Sequence, residues 1–262
     1  MDGKIGFTIL GSGSSGNSAI VHVGKDAVMI DAGFSLRETR RRMECAGLPQ
    51  DLAIHGILVT HEHDDHIKGL RVCSNHFNAP IFTTAKCAES LRHIDSRLPQ
   101  MIRISPGGSF ELGRFVVTPF SIPHDAADPV GYVLFCDTVK IGLATDIGYA
   151  SSGVEYEMRD CHSLLLESNH DVTLLAASGR PWSVKQRILG RMGHLCNEAA
   201  SELLRRIVGE RTHDVVLGHI SRECNQEELV RGNGRRALHE IGRDDICLEV
   251  ASQGCPLPTI WN

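Results

Sequence analysis

Three histidines and two aspartates occupy one short segment of the chain, the run HEHDDH at 61–66. Imidazole nitrogens and carboxylate oxygens are ligands with which proteins bind divalent transition-metal ions. In a turn, His61 and His63 can point to one site, while Asp65 and His66 face a neighbouring site. The spacing therefore predicts two divalent ions bound close together, an arrangement that serves metal-assisted hydrolysis.

One hexapeptide cannot supply enough ligands for two ions, so further ligands must come from elsewhere in the chain. Three later residues are suitable. His124, Asp146 and His219 each follow an apolar run, at the point where a strand is expected to end. Loops after strands are where sheet scaffolds present functional groups. The candidate metal ligands are therefore His61, His63, Asp65, His66, His124, Asp146 and His219.

The elements that must position these residues change in type along the chain. Short apolar runs predict strands at 6–10, 19–23, 27–31, 54–60, 81–82, 114–121, 130–136, 139–144, 164–167, 215–218 and 246–250. Helical spacing predicts helices at 35–45, 67–77, 197–208 and 226–241. The pair Asp137-Thr138 predicts a hairpin. Strand-rich and mixed stretches in this order predict an α/β (α+β) fold, a four-layer αββα sandwich forming one domain over 1–262.

The composition excludes several classes of protein. With 42% apolar and 23% charged residues the chain is neither disordered nor collagen-like. No apolar run approaches the ~18 residues that span a bilayer, and no secretory signal begins the chain, so no membrane partner is expected. Nine cysteines without a CxxC motif fit a reducing, cytoplasmic environment. The net charge of −5 means that nucleic acid could be bound only by a local basic patch.

Eight motifs run in order across nearly the whole chain and resemble those of the metallo-β-lactamase-fold hydrolases, most closely the YycJ/WalJ group. They are GSGSSGNSAIV (11–21), MIDAGFS (29–35), LVTHEHDDHIKGL (58–70), IPHDAADPVGY (122–132), LATDIGY (143–149), LLLESNHD (164–171), GHLCNEAA (193–200) and LGHISRECN (217–225). The resemblance implies an αββα sandwich with a binuclear metal site in the cleft between its sheets. The implied ligands are His61, His63 and His124 for the first ion, Asp65, His66 and His219 for the second, and Asp146 bridging both.

The resemblance also implies a group of residues around the metals. Asp31 corresponds to a residue that orients the ligands. Glu167 and His194 resemble a pair in tRNA 3′-processing endonucleases that protonates the leaving alkoxide, with His170 nearby in sequence. Asp65 would orient or deprotonate the attacking water in addition to binding the second ion.

Two segments are candidates for substrate contacts. No acidic residue lies between positions 171 and 198, where Arg180, Lys185, Arg187 and Arg191 occur with Trp182. This segment is either a patch for nucleic acid beside the site or a solvated basic helix face. The glycine-rich loop 11–18 either holds a phosphate with its backbone N–H groups or is a tight connection bordering the cleft.

Taken together, these features predict a binuclear metal-dependent phosphodiesterase that hydrolyses nucleic acid, with a DNA exonuclease favoured. The N and O ligands suit Zn²⁺, Mn²⁺ or Fe ions. The alternative is a small-molecule metallohydrolase of the same fold, such as a thioesterase or a cyclic phosphodiesterase, and a third interpretation is a non-catalytic metal-dependent scaffold. A long positive groove would favour nucleic acid, and a closed lid over a short pocket would favour a small substrate. Cleavage polarity and oligomeric state stay open.

Overall fold

The computed structural model describes residues 3–262, in which strands and helices alternate. The strands are β1 (Ile5–Gly11), β2 (Ser18–Val23), β3 (Asp26–Ile30), β4 (Ala53–Leu58), β5 (Ile81–Thr84), β6 (Met101–Ile104), β7 (Phe110–Leu112), β8 (Phe115–Ser121), β9 (Val130–Cys136), β10 (Val139–Ala144), β11 (Ser163–Glu167), β12 (Asp214–Gly218), β13 (Cys247–Val250) and β14 (Ile260–Trp261). The helices are α1 (Leu36–Cys45), α2 (Asp64–Ile67), α3 (Leu70–Phe77), α4 (Ala85–Ile94), α5 (Ser152–Met158), α6 (Val172–Ala177), α7 (Trp182–Leu189), α8 (Asn197–Ile207) and α9 (Glu227–Glu240).

The strands form two sheets of seven strands each, in the orders β14-β1-β2-β3-β4-β5-β6 and β13-β12-β11-β10-β9-β8-β7. In the first sheet β1, β2 and β3 pair antiparallel, and β3 to β6 pair parallel. In the second sheet β7 to β10 pair antiparallel, and β10 to β13 pair parallel. Parallel neighbours need crossover connections, and helices such as α1, α4, α8 and α9 occupy them.

Three buried apolar layers separate the sheets and helices. The central layer lies between the two sheets and includes Phe7 and Tyr132. A second layer, with Leu203, lies between the second sheet and its helices, and a third, with Leu91, covers the outer face of the first sheet. The expected αββα sandwich is therefore confirmed. Among the described helices, none has the length and apolar character needed to cross a membrane.

The predicted helix 67–77 is confirmed over Leu70–Phe77, but its start is wrong. The chain forms the short helix α2, breaks at Lys68 and Gly69, and continues as α3. The Gly69 N–H donates to the carbonyl of Ala32 (2.7 Å), and a Cβ at Gly69 would collide with the carbonyl oxygen of Phe34. The break is thus fixed by a loop more than thirty residues away in the chain, which local helical spacing cannot reveal.

Other predicted elements agree with the structure to within a few residues. The Asp137-Thr138 hairpin is confirmed, because Cys136 pairs with Val139 across it and Asp137 has φ +53°. The predicted strand 54–60 ends early, since the Thr60 N–H donates to the Asp31 carboxylate (2.8 Å) rather than to a neighbouring strand. The sequence patterns did not indicate α4, α5, α6, α7, β6, β7 and β14.

Candidate metal centre

The candidate site lies where the parallel strands of both sheets end. Asp31 follows β3, the segment 61–66 follows β4, Asp146 follows β10, Glu167 ends β11 and His219 follows β12. The carboxyl ends of parallel strands share one edge of a sheet, and ligands bind there in open α/β folds. The fold therefore brings together residues that are up to 188 positions apart in the chain.

Three residues at these strand ends have left-handed backbone conformations. The φ angles are +55° for Asp31, +59° for Asp146 and +54° for His219. This region costs roughly 1–3 kcal/mol for a residue other than glycine, although Asp, Asn and His adopt it more readily than most. Such strain is concentrated at functional sites, and no sequence pattern indicated it.

The potential ligand atoms form four overlapping groups, two of which match the ligand sets expected from the sequence. Nitrogens of His61, His63 and His124 lie within 4.8 Å of one another. The same limit holds for ligand atoms of Asp65, His66 and His219. The other two groups are His61, His66 and Asp146, and Asp146, Glu167, His194 and His219, so the seven side chains selected from the sequence converge on one region together with Glu167 and His194.

Asp146 lies between the two groups. Its Oδ1 is 3.4 Å from His219 Nε2 and 3.8 Å from His124 Nε2, and its Oδ2 is 3.2 Å from His66 Nε2. The side chain is buried. One carboxylate therefore contacts the atoms that would bind either ion.

Several of these atoms are buried without a hydrogen-bond partner in the described part of the chain. They are His61 Nε2, His124 Nε2, His219 Nε2 and Asp146 Oδ2. Buried polar atoms without partners are rare in folded proteins. Their chemistry, imidazole nitrogen and carboxylate oxygen, suits divalent transition-metal ions. The residues present therefore fit the metal ions that the sequence predicts.

The opposite nitrogens of the rings have partners that select the tautomer needed for metal binding. His66 Nδ1 lies 2.7 Å from Asp31 Oδ2, His124 Nδ1 lies 3.0 Å from the Gly193 carbonyl, and His219 Nδ1 lies 2.8 Å from Glu167 Oε1. Donation from Nδ1 to an acceptor leaves Nε2 free for a cation. Asp31 has the orienting position that the resemblance implies.

The electrostatics of the cluster favour cations. Burial lowers the pKa of His61 well below its ordinary value. Burial would also lower the pKa of His66, but the carboxylates of Asp31 and Asp146 raise it. Burial would raise the pKa of Asp146, but His219 and His66 lower it well below its ordinary value. The carboxylates thus hold negative charge that either protons or divalent ions can neutralise.

Glu167 and His194 form a pair beside the ligand groups. His194 Nδ1 lies 2.8 Å from Glu167 Oε1, and the same oxygen is 2.8 Å from His219 Nδ1. Glu167 Oε2 accepts from the N–H groups of Ile147 (2.7 Å) and Leu195 (3.1 Å). The carboxylate is completely buried, and it orients both histidines at once.

The match to known proteins decides the family. The model of the β-lactamase superfamily domain matches residues 27–220. The chain belongs to the β-lactamase superfamily. The chain is 35% identical over 238 residues to "Exodeoxyribonuclease YycJ" of Bacillus anthracis, covering 90% of each sequence. It is also 35% identical over 235 residues to "Exodeoxyribonuclease WalJ" of Streptococcus pneumoniae, covering 86% of each.

The fold of this superfamily member is also found in a solved structure. The metallo-β-lactamase fold protein YhfI from Bacillus subtilis superimposes with a TM-score of 0.71 at 12% identity, covering 97% of this chain and 98% of that chain. The chain is therefore a YycJ/WalJ-like hydrolase of metallo-β-lactamase fold, and its His/Asp cluster implies divalent metal ions.

His170 lies apart from both ligand groups of this superfamily member. Its side chain is buried, neither ring nitrogen has a hydrogen-bond partner in the described range, and burial lowers its pKa. It lines a cavity of about 340 Å³ with His194, Cys196 and Arg206. Glu167 and His194 thus belong to a group of potential ligand atoms, whereas His170 belongs to none and only shares a cavity with His194.

The basic segment carries less net positive charge than the sequence predicted. Arg180 is paired with Glu223 (2.8 Å), and Arg187 is paired with Asp125. Both acidic residues lie outside 171–198, so counting charges along the segment missed them. Two of the four cations of the segment are thus paired, and its role in binding nucleic acid stays a prediction.

The two remaining cations of the segment contact neutral groups. Lys185 Nζ donates to the carbonyls of Ala176 (2.6 Å) and Ser178 (2.8 Å), and Arg191 lies 4.5 Å from the centre of the Tyr149 ring. Arg180 and Arg187 line a cavity of about 130 Å³ with His194 and His219. The segment therefore borders the site.

Asn17 is a residue of the site that sequence reasoning missed. Its Nδ2 lies 3.0 Å from Asp65 Oδ2 and 3.0 Å from His66 Nε2. The Gly13 N–H donates to Asn17 Oδ1 (2.7 Å), which fixes the orientation of the amide. The Asn17 backbone N–H donates to the Asp65 carbonyl (2.7 Å), so this residue of the glycine-rich loop contacts the 61–66 segment through both its backbone and its side chain. Of the two interpretations of the loop, this use of its N–H groups favours the tight connection.

Replacing Asn17 by alanine is expected to weaken binding of one divalent ion by about 10–100-fold, the usual effect of losing a residue that orients a metal ligand. Asp65 loses the amide that orients its Oδ2, whereas Asn17 forms no hydrogen bond to His61, His63 or His124. Calorimetric titration of the metal-free protein with Zn²⁺ or Mn²⁺ measures the affinity of each binding event. Equal weakening of both binding events, or of neither, would contradict the expected role of Asn17.

Proposed function

We propose that this protein is a two-metal nuclease that degrades DNA from an end. The observation that carries the proposal is the pair of ligand groups sharing the buried carboxylate of Asp146, next to the Glu167–His194 pair. The names of the YycJ and WalJ relatives support DNA as the substrate and an exonuclease mode of action. The proposal also treats residues 1–262 as one catalytic domain.

The proposed ligands are those selected from the sequence. His61, His63 and His124 would hold one ion, Asp65, His66 and His219 the other, and Asp146 both. Zn²⁺ and Mn²⁺ are the ions proposed for these nitrogen and oxygen donors. When bound, such a pair lowers the pKa of water and neutralises charge that develops on phosphoryl oxygens.

The proposed mechanism gives each remaining residue one task. Asp65 is partly exposed to the cleft, with Oδ2 3.6 Å from both His66 Nε2 and His219 Nε2, and it would orient the attacking water or accept its proton. His194 has Nδ1 fixed by Glu167, and the ring lines the cleft. The other ring nitrogen of His194, Nε2, would donate a proton to the leaving 3′ or 5′ oxygen. That oxygen needs the proton because an alkoxide is strongly basic.

The experiment that tests the proposal is digestion of end-labelled nucleic acids by protein reconstituted with Mn²⁺ or Zn²⁺. Single- and double-stranded DNA and RNA, labelled at the 5′ or the 3′ end, are compared. The expected result is stepwise release of nucleotides from one end of DNA, with slower attack on RNA. Internal cleavage, faster attack on RNA, or no attack on any polymer would each overturn it.

A small-molecule hydrolase is the second candidate, and one observation favours it. The pairing of Arg180 with Glu223 and of Arg187 with Asp125 removes positive charge from the segment expected to contact a polyanion. A short substrate needs fewer phosphate contacts than DNA does. Assays of the same reconstituted protein with cyclic nucleotides and acyl thioesters separate this candidate from the nuclease.

Reversing the charge of Arg191 is expected to weaken DNA binding and to reduce the slope of log K against log salt by about one, the effect of losing one phosphate contact. Arg191 lies against Tyr149 and forms no ion pair within residues 3–262. Arg191→Glu is therefore compared with Arg236→Glu, an equal charge change at an exposed position of α9. Fluorescence anisotropy at several salt concentrations measures both, and equal effects of the two variants would contradict a specific contact.

A further inference from the structure

A larger cavity adjoins the candidate metal centre on the side of Asp65. Its volume is about 650 Å³, against about 130 Å³ for the cavity beside His194. Asp65 lines the larger cavity and His194 does not, while Ser14, at the tip of the glycine-rich loop, borders both. Small-molecule and cofactor sites usually measure ~300–1,000 Å³. The cavity of about 650 Å³ and the one of about 340 Å³ at His170 are within this range, and of these two only the first is lined by a proposed metal ligand, Asp65.

One wall of this cavity is aliphatic. Ile67, Leu70 and Leu98 are buried, whereas Val72 is 37% and Ile94 is 55% exposed. These side chains come from α2, α3, the end of α4 and the segment after it, and all line the cavity. Large apolar side chains exposed in a concave surface next to a catalytic centre indicate contact with a ligand.

The rim of the same cavity carries charges of both signs, three cations and three carboxylates. Arg71 Nε and Arg97 Nε each lie 2.9 Å from the carboxylate of Asp95, so this cluster has one net positive charge. Lys68, at the break between α2 and α3, is exposed and forms no ion pair among residues 3–262. Asp64 and Asp65 also line the cavity. Asp65 is a proposed metal ligand, so an ion bound there would offset its charge, and the other charges of the lining, Asp64 included, leave one net positive charge.

We propose that this cavity binds the nucleotide next to the scissile phosphate. Its base lies against the aliphatic wall, and its outer phosphate is bound by Lys68 and the Arg71–Asp95–Arg97 cluster. This inference rests on the proposed nuclease function and adds the position of the substrate strand. An aliphatic wall offers no pattern of donors and acceptors, so the site accepts any base, as degradation of DNA requires.

Two variants test the site from different sides. Lys68→Glu reverses the unpaired charge of the rim, and Val72→Trp fills the cavity from α3. The control is Lys4→Glu, the same charge change at an exposed residue. Lys4 precedes β1, whereas Ser14 follows it, so the two residues are at opposite ends of this strand. Binding of a fluorescent oligodeoxynucleotide is measured by anisotropy, and hydrolysis is measured for the oligonucleotide and for bis(p-nitrophenyl) phosphate, which lacks a neighbouring nucleotide.

The expected result is a loss of oligonucleotide affinity of about 10–100-fold in Lys68→Glu, typical of losing a hydrogen bond to a charged group. Val72→Trp is expected to raise KM for the oligonucleotide to a similar extent. Both variants should hydrolyse bis(p-nitrophenyl) phosphate within about twofold of the wild-type rate, because that substrate has neither the outer phosphate nor the base that the cavity is proposed to bind. Lys4→Glu should change none of these values.

Three outcomes would overturn the proposal. Unchanged oligonucleotide affinity in both variants removes the cavity from the binding site. Equal loss on the two substrates points to damage at Asp65 rather than to a nucleotide site. Hydrolysis of an acyl thioester that Val72→Trp abolishes identifies an acyl chain as the occupant. Failure of the nuclease proposal is seen separately, as wild-type protein that hydrolyses neither phosphodiester whatever its affinity for the oligonucleotide.

Discussion

Replacing Asp146 by asparagine is expected to lower kcat for every phosphodiester substrate by about 10³-fold. The carboxylate contacts atoms of both ligand groups, and asparagine keeps its shape while removing its charge. Charge stabilisation by a metal centre amounts to several kcal/mol, and about 4 kcal/mol corresponds to this factor. Asparagine is the suitable replacement because it tolerates the φ of +59° at this position.

The measurement combines kcat on bis(p-nitrophenyl) phosphate with the metal content of the purified variant. The matched control is Asp137→Asn, which makes the same change at a residue with φ +53° in the hairpin at the other end of β10. The control should retain full activity and metal. An Asp146→Asn variant with full metal content and wild-type kcat would show that this carboxylate does not join the two ions.

Replacing His194 by alanine is expected to slow hydrolysis of DNA by about 10²–10⁴-fold, the contribution of a positioned general acid. The rate with a p-nitrophenyl phosphodiester should fall far less, because nitrophenolate leaves without a proton. Both ions should stay bound, since the ligands proposed for them do not include His194. The comparison of the two leaving groups therefore separates a proton donor from a residue that only packs.

The control for this variant is His239→Ala, because His239 is an exposed histidine at the end of α9. His239→Ala should not change the rate of hydrolysis of either substrate. A loss of metal in His194→Ala would identify His194 as a ligand. Equal slowing of both substrates with full metal content would remove it as the acid, and Glu167 or His170 would be tested next.

The parts of the site that could be predicted from the sequence are those with an unusual local pattern. The 61–66 run is distinctive by itself, and His124, Asp146 and His219 stand out because each follows an apolar strand. The layers of the sandwich follow from the order of strand-rich and mixed segments, since parallel strands require crossover helices.

The features that escaped prediction depend on contacts between distant segments. Asn17 is an ordinary loop residue until its amide meets Asp65 and His66. The neutralisation of Arg187 depends on Asp125, which precedes it by 62 positions. The helix break at Gly69 depends on the backbone of Ala32. None of these contacts has a local signature, because the residue types involved are common in loops and helices alike.

Each ligand group draws on both sheets, and this has a consequence for the order of folding events. The segment 61–66 follows a strand of the first sheet, whereas His124 and His219 follow strands of the second. Neither sheet alone can complete a coordination shell, so the ions would enter after the sheets dock. A ligand that binds only after the transition state slows unfolding without accelerating refolding. Bound metal would then slow unfolding and so extend the lifetime of the native protein, while leaving the folding rate unchanged.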